Sequence, residues 1–297
     1  MIIEANHPQT LYVGTQYDGV FKSTDGGQSW YEVNQGLTRR QIWSLAQHPL
    51  TGELYAGTEP SALYRSRNGG ESWEECKAIQ ELPRLKEWTF PRPPHLSHIK
   101  AISFSQRDPN LIYCAVEEGW LIRSRDGGES WENLTEGSEF DAHDVKLMTD
   151  NEQEQLVLQS SGTGIYRSSD GGNHFSPAME GLGRRYVSPI GVHPSRPQLL
   201  VVAAAKNPPP FWFIPGRGGA DSAFYRSSDQ GKSWQPVANT PYLKGGSWTV
   251  GVDPADPDTF GVGLHDRTVW LSEDGGESFC QIVAGLPLVG TVTISRR

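Results

Sequence analysis

Ser124-Arg125-Asp126-Gly127-Gly128-Glu129-Ser130-Trp131 is a stretch that this chain of 297 residues writes six times. It recurs as Ser23 to Trp30, as Ser66 to Trp73 with Asn68 in place of the acid, as Ser168 to Phe175, as Ser227 to Trp234 and as Ser272 to Phe279. The shared pattern is Ser-x-Asp-x-Gly-x-x-Trp/Phe. An apolar, aromatic-rich run precedes each copy (Gly19-Val20-Phe21-Lys22, Gly164-Ile165-Tyr166-Arg167), and a second run opens with the closing aromatic residue. That arrangement is the turn of a β-hairpin. The Asp side chain accepts backbone N–H bonds inside the turn, and glycine supplies positive φ where a Cβ would clash. Five aspartates at a fixed spacing invite a catalytic or metal reading, but each is used up by its own turn.

The serines that open the copies are separated by 43, 58, 44, 59 and 45 residues. A period of that size with several strands per repeat predicts an all-β, six-bladed β-propeller of four-stranded antiparallel blades, one domain over 1–297. In the second repeat the strands read Gln41 to Gln47, Glu53 to Thr58, Ala62 to Ser66 and Ser72 to Lys77. A polar-Pro step separates first from second strands: His7-Pro8, His48-Pro49, Asp108-Pro109, His193-Pro194 and Asp253-Pro254. Its regularity assigns His7, His48 and His193 to turns. The terminal run Gly290 to Ser295 and the opening Met1 to Ala5 both resemble a closing strand for the first blade.

Composition narrows the function classes. A net charge of -9 argues against nucleic acid or an anionic membrane surface as partner. Three cysteines without paired spacing (Cys76, Cys114, Cys280) read as buried free thiols of a reducing compartment. With no visible signal peptide or membrane span, a cytoplasmic monomer is expected.

The repeat turns and Pro turns share one face of such a ring. The long insertions, Ala78 to Lys100 and Ala204 to Ser222, fall on the other, and function is expected there. Three readings compete for it. In the first, Arg39, Arg40, Arg184, Arg185 and Arg217 grip a small polar ligand, anionic or carbohydrate-like, between aromatic walls from Trp43, Tyr186, Trp212 and Trp248, with His265 beside them. The two Arg-Arg pairs stand three repeats apart, across the channel in a ring of six. The second draws a metal such as zinc from His95, His98, His143 and His265 with a nearby carboxylate, although no specific ligand spacing appears. The third is acid–base hydrolysis by Glu117, Asp141 or Asp144, with Glu118 also at hand. No Ser-His-Asp, Cys-His or phosphate-loop signature is present.

The repeated turns resemble the Asp-box, or bacterial neuraminidase repeat, propellers over nearly the whole length. That superfamily holds sialidases, xyloglucan-cleaving glycosidases, sorting-receptor ectodomains and photosystem II assembly factors. The resemblance therefore implies a fold and leaves three functions open: a ligand-binding propeller, a glycosidase-type hydrolase, or a scaffold for a protein partner. The Arg-Ile-Pro segment that sialidases carry near the amino end is missing here. Phe213-Ile214-Pro215 lies late and lacks the arginine, so no catalytic residue is carried over.

Overall fold

The computed structural model describes residues 1–4, 7–150, 153–193, 195–214 and 216–294. Ala5, Pro194, Pro215 and Ser295 lie outside them. The chain is a six-bladed β-propeller. Six antiparallel sheets hold four strands each, paired in chain order from the channel outward. We number the strands β1 to β24. The first blade takes β1 (Ile2–Glu4), β2 (His7–Gly14), β3 (Val20–Ser23) and β4 (Tyr31–Glu32). The second takes β5 (Gln41–Gln47) to β8 (Glu74–Glu75), the third β9 (His98–Phe104) to β12 (Glu132–Leu134), and the fourth β13 (Ala142–Asp150) to β16 (Ser176–Pro177). The fifth takes β17 (Tyr186–Val192) to β20 (Gln235–Pro236), and the sixth β21 (Ser247–Asp253) to β24 (Cys280–Val283). The second strands of blades three and five, β10 (Ile112–Glu117) and β18 (Leu200–Ala205), are wholly buried, whereas β2 in the first blade is largely open. Outermost strands shrink to two to four residues. No helix among the described residues is long and apolar enough to cross a membrane.

Each turn aspartate is occupied locally. Asp126 Oδ1 accepts the Ser130 N–H at 2.9 Å, its Oδ2 accepts the Ser130 hydroxyl at 2.5 Å, and Ser124 donates to Oδ1 at 2.8 Å. Asp25, Asp229 and Asp274 repeat the set, and Asn68 substitutes an amide. Two of the three Pro-turn histidines are equally bound; His7 instead opens β2, exposed, 3.7 Å from Glu4 Oε1. His48 Nδ1 accepts the Leu50 N–H, and the opposite nitrogen donates to the Pro109 carbonyl of the next blade; His193 does the same toward Pro254.

Blades lock together through the closing aromatics. The Trp73 backbone N–H donates to Gln35 O and its indole to Val33 O, both on the preceding blade. Trp234 repeats this with Glu180 O and Ala178 O. A Cβ at Gly36 or Gly181 would collide with the carbonyl of the docked Trp73 or Trp234, so only glycine admits the approach. Apolar clusters fill the junctions of blades one and two, two and three, three and four, four and five, and five and six. Among the described residues no such cluster joins blade six to blade one. There Trp30 is 39% exposed and bonds its indole to its own Gly27 carbonyl. Gly285, the counterpart of Gly36, meets no neighbour.

The termini settle the closing strand. The N-terminal segment supplies β1, paired with β2. The C-terminal run forms no strand over 290–294; it lies across Gly251, Gly261 and Gly263 of blade six, with the Val292 N–H donating to Thr249 Oγ1. The cysteines need correction as well. Cys114 is buried, but Cys76 is only partly covered, and Cys280 is exposed because β24 is an outermost strand with nothing packed over it.

Candidate functional site

Irregularities at the starts of the inner strands decide what faces the channel. On β9, Lys100 falls where the register with β10 shifts, and its side chain meets that of His98 at Glu117. Glu117, at the end of β10, is the register partner of His98. The opening of β13 brings His143, preceded by Asp141. The starts of β5, β17 and β21 contribute Trp43, Tyr186 and Trp248 at the same end of the ring.

Glu117 is the hub. Its Oε2 receives His98 Nε2 at 2.6 Å and Lys100 Nζ at 2.7 Å, while its Oε1 faces His143 Nε2 at 3.7 Å. His143 Nε2 is also 3.1 Å from Asp141 Oδ2, and its Nδ1 is 2.7 Å from the Val187 carbonyl. His98, Glu117 and His143 are buried, whereas Asp141 and Lys100 are partly open. Burial alone would raise the Glu117 carboxyl, but the Lys100 ammonium, the His98 hydrogen bond and the His143 ring carry it well below the usual carboxylate range. Glu118 goes the other way: burial and the charges of Asp141 and Glu117 push it up to about 7. Burial, then Glu117 and Asp141, raise the Tyr186 phenol. Glu118 and Trp120 adopt positive φ (57° and 64°), so this connection is held in a conformation that non-glycine residues rarely take.

Rings surround the hub. Trp43 stacks on His98 with centroids 3.7 Å apart, and His143 packs on Tyr186 at 4.8 Å. Tyr186 meets Trp212 at 5.6 Å, and Trp212 meets Trp248 at 4.7 Å. The Lys100 ammonium lies 5.5 Å from the centre of the Trp248 ring. Trp212 belongs to the insertion Ala204 to Ser222, which forms one helical turn, α1 (Pro209–Trp212). Its indole is fixed by the Asn207 carbonyl, and Ala205 and Ala220 pack with it, while Phe213 and Ile214 are exposed.

The structure therefore brings together Trp43, His98, Glu117, Asp141, His143, Tyr186, Trp212 and Trp248. It separates the others. Arg39 is ion-paired to Glu75 at 2.6 Å, and Arg184 is held by Asp221, by the Tyr225 hydroxyl and by the Pro241 carbonyl. Both guanidiniums fasten neighbouring loops rather than face a ligand. Arg40 is exposed, 3.8 Å from Glu32, and Arg185 is exposed. Arg217 is also exposed and lies over the Phe211 ring. Asp144, next to His143 at an irregularity of the β13–β14 register, accepts the Val145 and Ile190 N–H groups and Lys146, stapling blade four to blade five. His95 is exposed and bonds the Phe90 carbonyl. His265 accepts the Gly246 N–H, leans its other nitrogen on the Trp212 carbonyl and stacks on that ring, clasping the insertion. Lys100 is the functional residue that sequence reading missed. It fell at the end of an apparent loop, and β9 starts earlier than expected, at His98. Among the described residues, Glu117, Asp141 and His143 are the group that could hold a metal, offering one donor atom each within 4.8 Å of one another.

No protein-family model matches the chain, and no curated protein matches it. Solved structures do match. A GH74 enzyme from Niastella koreensis aligns with a TM-score of 0.74 at 15% identity, over 99% of this chain and 48% of that one. The GH74 xyloglucanase from Xanthomonas campestris gives 0.66 at 16% identity, over 93% and 44%. YCF48 from Cyanidioschyzon merolae gives 0.58 at 15% identity, over 94% and 83%. The chain thus spans less than half the length of these GH74 enzymes, and the likeness shows the fold.

Proposed function

We propose that the channel mouth of blades two to six recognises a neutral, carbohydrate-like polyhydroxyl ligand. The observation that carries this reading is the convergence of carboxylates with aromatic faces: Glu117, Glu118 and Asp141 beside Trp43, Tyr186 and Trp248. Ionised carboxylates are acceptors for hydroxyl donors, and Trp or Tyr faces cover the apolar side of a sugar ring. An anionic ligand fits less well. Arg39 and Arg184, which would grip it, are tied to other partners, and the mouth already holds an excess of negative charge. The GH74 neighbours, one of them named a xyloglucanase, support a saccharide as the first ligand class to try.

The test is isothermal titration calorimetry of the full chain against a panel of neutral and acidic oligosaccharides, with reducing-end release followed in parallel. A neutral saccharide should bind. Trp248→Ala and Asp141→Asn should each weaken it at least about tenfold, the effect of losing roughly 1.4 kcal/mol. Arg39→Ala and Arg185→Ala should leave it unchanged. Binding confined to acidic sugars and abolished by the arginine variants would overturn the proposal, as would a silent panel. Turnover lost in Glu118→Gln would extend recognition to hydrolysis.

A further inference from the structure

The His143 ring is more than nine-tenths buried, yet one of its nitrogens has no hydrogen-bond partner. The other nitrogen explains the orientation. Nδ1 is 2.7 Å from the Val187 carbonyl, an oxygen that only accepts, so Nδ1 carries the proton. In the neutral ring Nε2 then presents a lone pair. It lies 3.1 Å from Asp141 Oδ2 and 3.7 Å from Glu117 Oε1, in line for a hydrogen bond with neither. With the ring neutral, three electron-rich atoms converge and repel one another; a proton on Nε2 or a metal ion among them relieves that repulsion, and the metal does so without needing Nε2 in line with either oxygen.

We propose that Glu117 Oε1, Asp141 Oδ2 and His143 Nε2 form a site for a divalent transition ion, with Zn²⁺ as the best-fitting occupant. One imidazole and two carboxylates suit zinc, and three protein donors leave a position for water or a ligand hydroxyl. The bond from Nδ1–H to a backbone carbonyl is the outer support by which proteins fix a metal-ligating histidine. Lys100 and His98 both bind the other oxygen of Glu117, so they hold the carboxylate in place and leave Oε1 open. Charge points the same way. Glu59, whose Oε2 is 3.4 Å from His98 Nδ1, joins Glu117, Glu118 and Asp141 at this end of the channel, and Lys100 is the one lysine or arginine among the described residues that is ion-paired to any of them. Asp141 is partly exposed, which gives the ion a route in.

The proposal stands apart from saccharide recognition and is tested without any sugar. Tag-free full-length protein, stripped with a chelator, is titrated with Co²⁺ as the spectroscopic probe and then with Zn²⁺ in competition. One equivalent should bind, with visible bands of a low-coordinate N/O site that Zn²⁺ bleaches. Asp141→Asn and His143→Gln should each cut affinity by at least about 100-fold, beyond what loss of an outer support alone produces. His95→Ala should not change it. Asp141→Asn, at a partly exposed position, keeps the test decisive if the buried histidine variant misfolds. Absence of the bands at millimolar Co²⁺ would overturn the site. So would affinities equal in wild type and Asp141→Asn, or a nitrogen-15 spectrum showing Nε2 protonated with the metal present.

Discussion

Replacing the closing aromatic of the turn should have very different consequences at blades five and one, although the sequence writes the same residue in both. Trp234 is 2% exposed, sits in the apolar cluster between blades four and five, and donates its indole N–H to Ala178 O at 3.0 Å. Trp234→Ala removes roughly 150–250 Å² of buried aromatic surface and leaves a carbonyl without its donor, so it should cost about 4 kcal/mol. Trp30 is 39% exposed, and its indole bonds within its own turn, so nothing on another blade depends on it. Trp30→Ala should cost about 1 kcal/mol. Unfolding entropy of ~2.1 cal/mol/K per residue turns these figures into Tm losses of about 6 °C and about 2 °C for a chain of this size. Guanidinium unfolding monitored by circular dichroism, with slopes compared to confirm the same transition, supplies the free energies. Equal losses would refute the reasoning, because they would mean that the flank between blades six and one is packed like the other junctions.

The acid limb of stability should come from the turns. Hydrogen bonds from Ser29 depress Asp25, and those from Ser130 depress Asp126. Asp229 and Asp274 are lowered against an opposing burial effect, and Asp170 is lowered in the same way, to about 2. Because the folded values lie below the unfolded ones, their contribution is complete above pH ~4 and is lost as pH falls toward 2. Stability measured by urea unfolding from pH 5 to pH 2 should decline, and Asp126→Asn, which copies Asn68, should flatten the decline. The hub supplies a further check. Lys100→Met takes the ammonium from the buried Glu117 carboxylate, which keeps only its His98 hydrogen bond, and should cost about 3–5 kcal/mol, most of it recovered in Lys100→Met/Glu117→Gln. Additive losses in the double variant would show that the pair is not coupled.

What the residues determine on their own is local or periodic. Each turn aspartate meets its partners within four positions, so the eight-residue pattern states its own hydrogen bonds. The spacing of the copies states the number of blades, and the regular Pro step predicts that His48 and His193 are turn residues. Side-chain direction at element ends was not written in the same way. Arg39 and Arg184 follow the same Gly-Leu lead-in and look like ligand arms, but Glu75 and Asp221, distant in sequence, claim them.

His98, Glu117, Asp141 and His143 could each be named from the sequence, yet they fell under separate readings, as metal ligands or as acids. Only register and stacking unite them. Glu117 pairs with His98 across one sheet, and His143 arrives on the inner strand of the adjacent blade. A hydrogen-bonded turn is a property of neighbours along the chain, whereas a buried cluster of charge is a property of strands that meet only after the ring has formed.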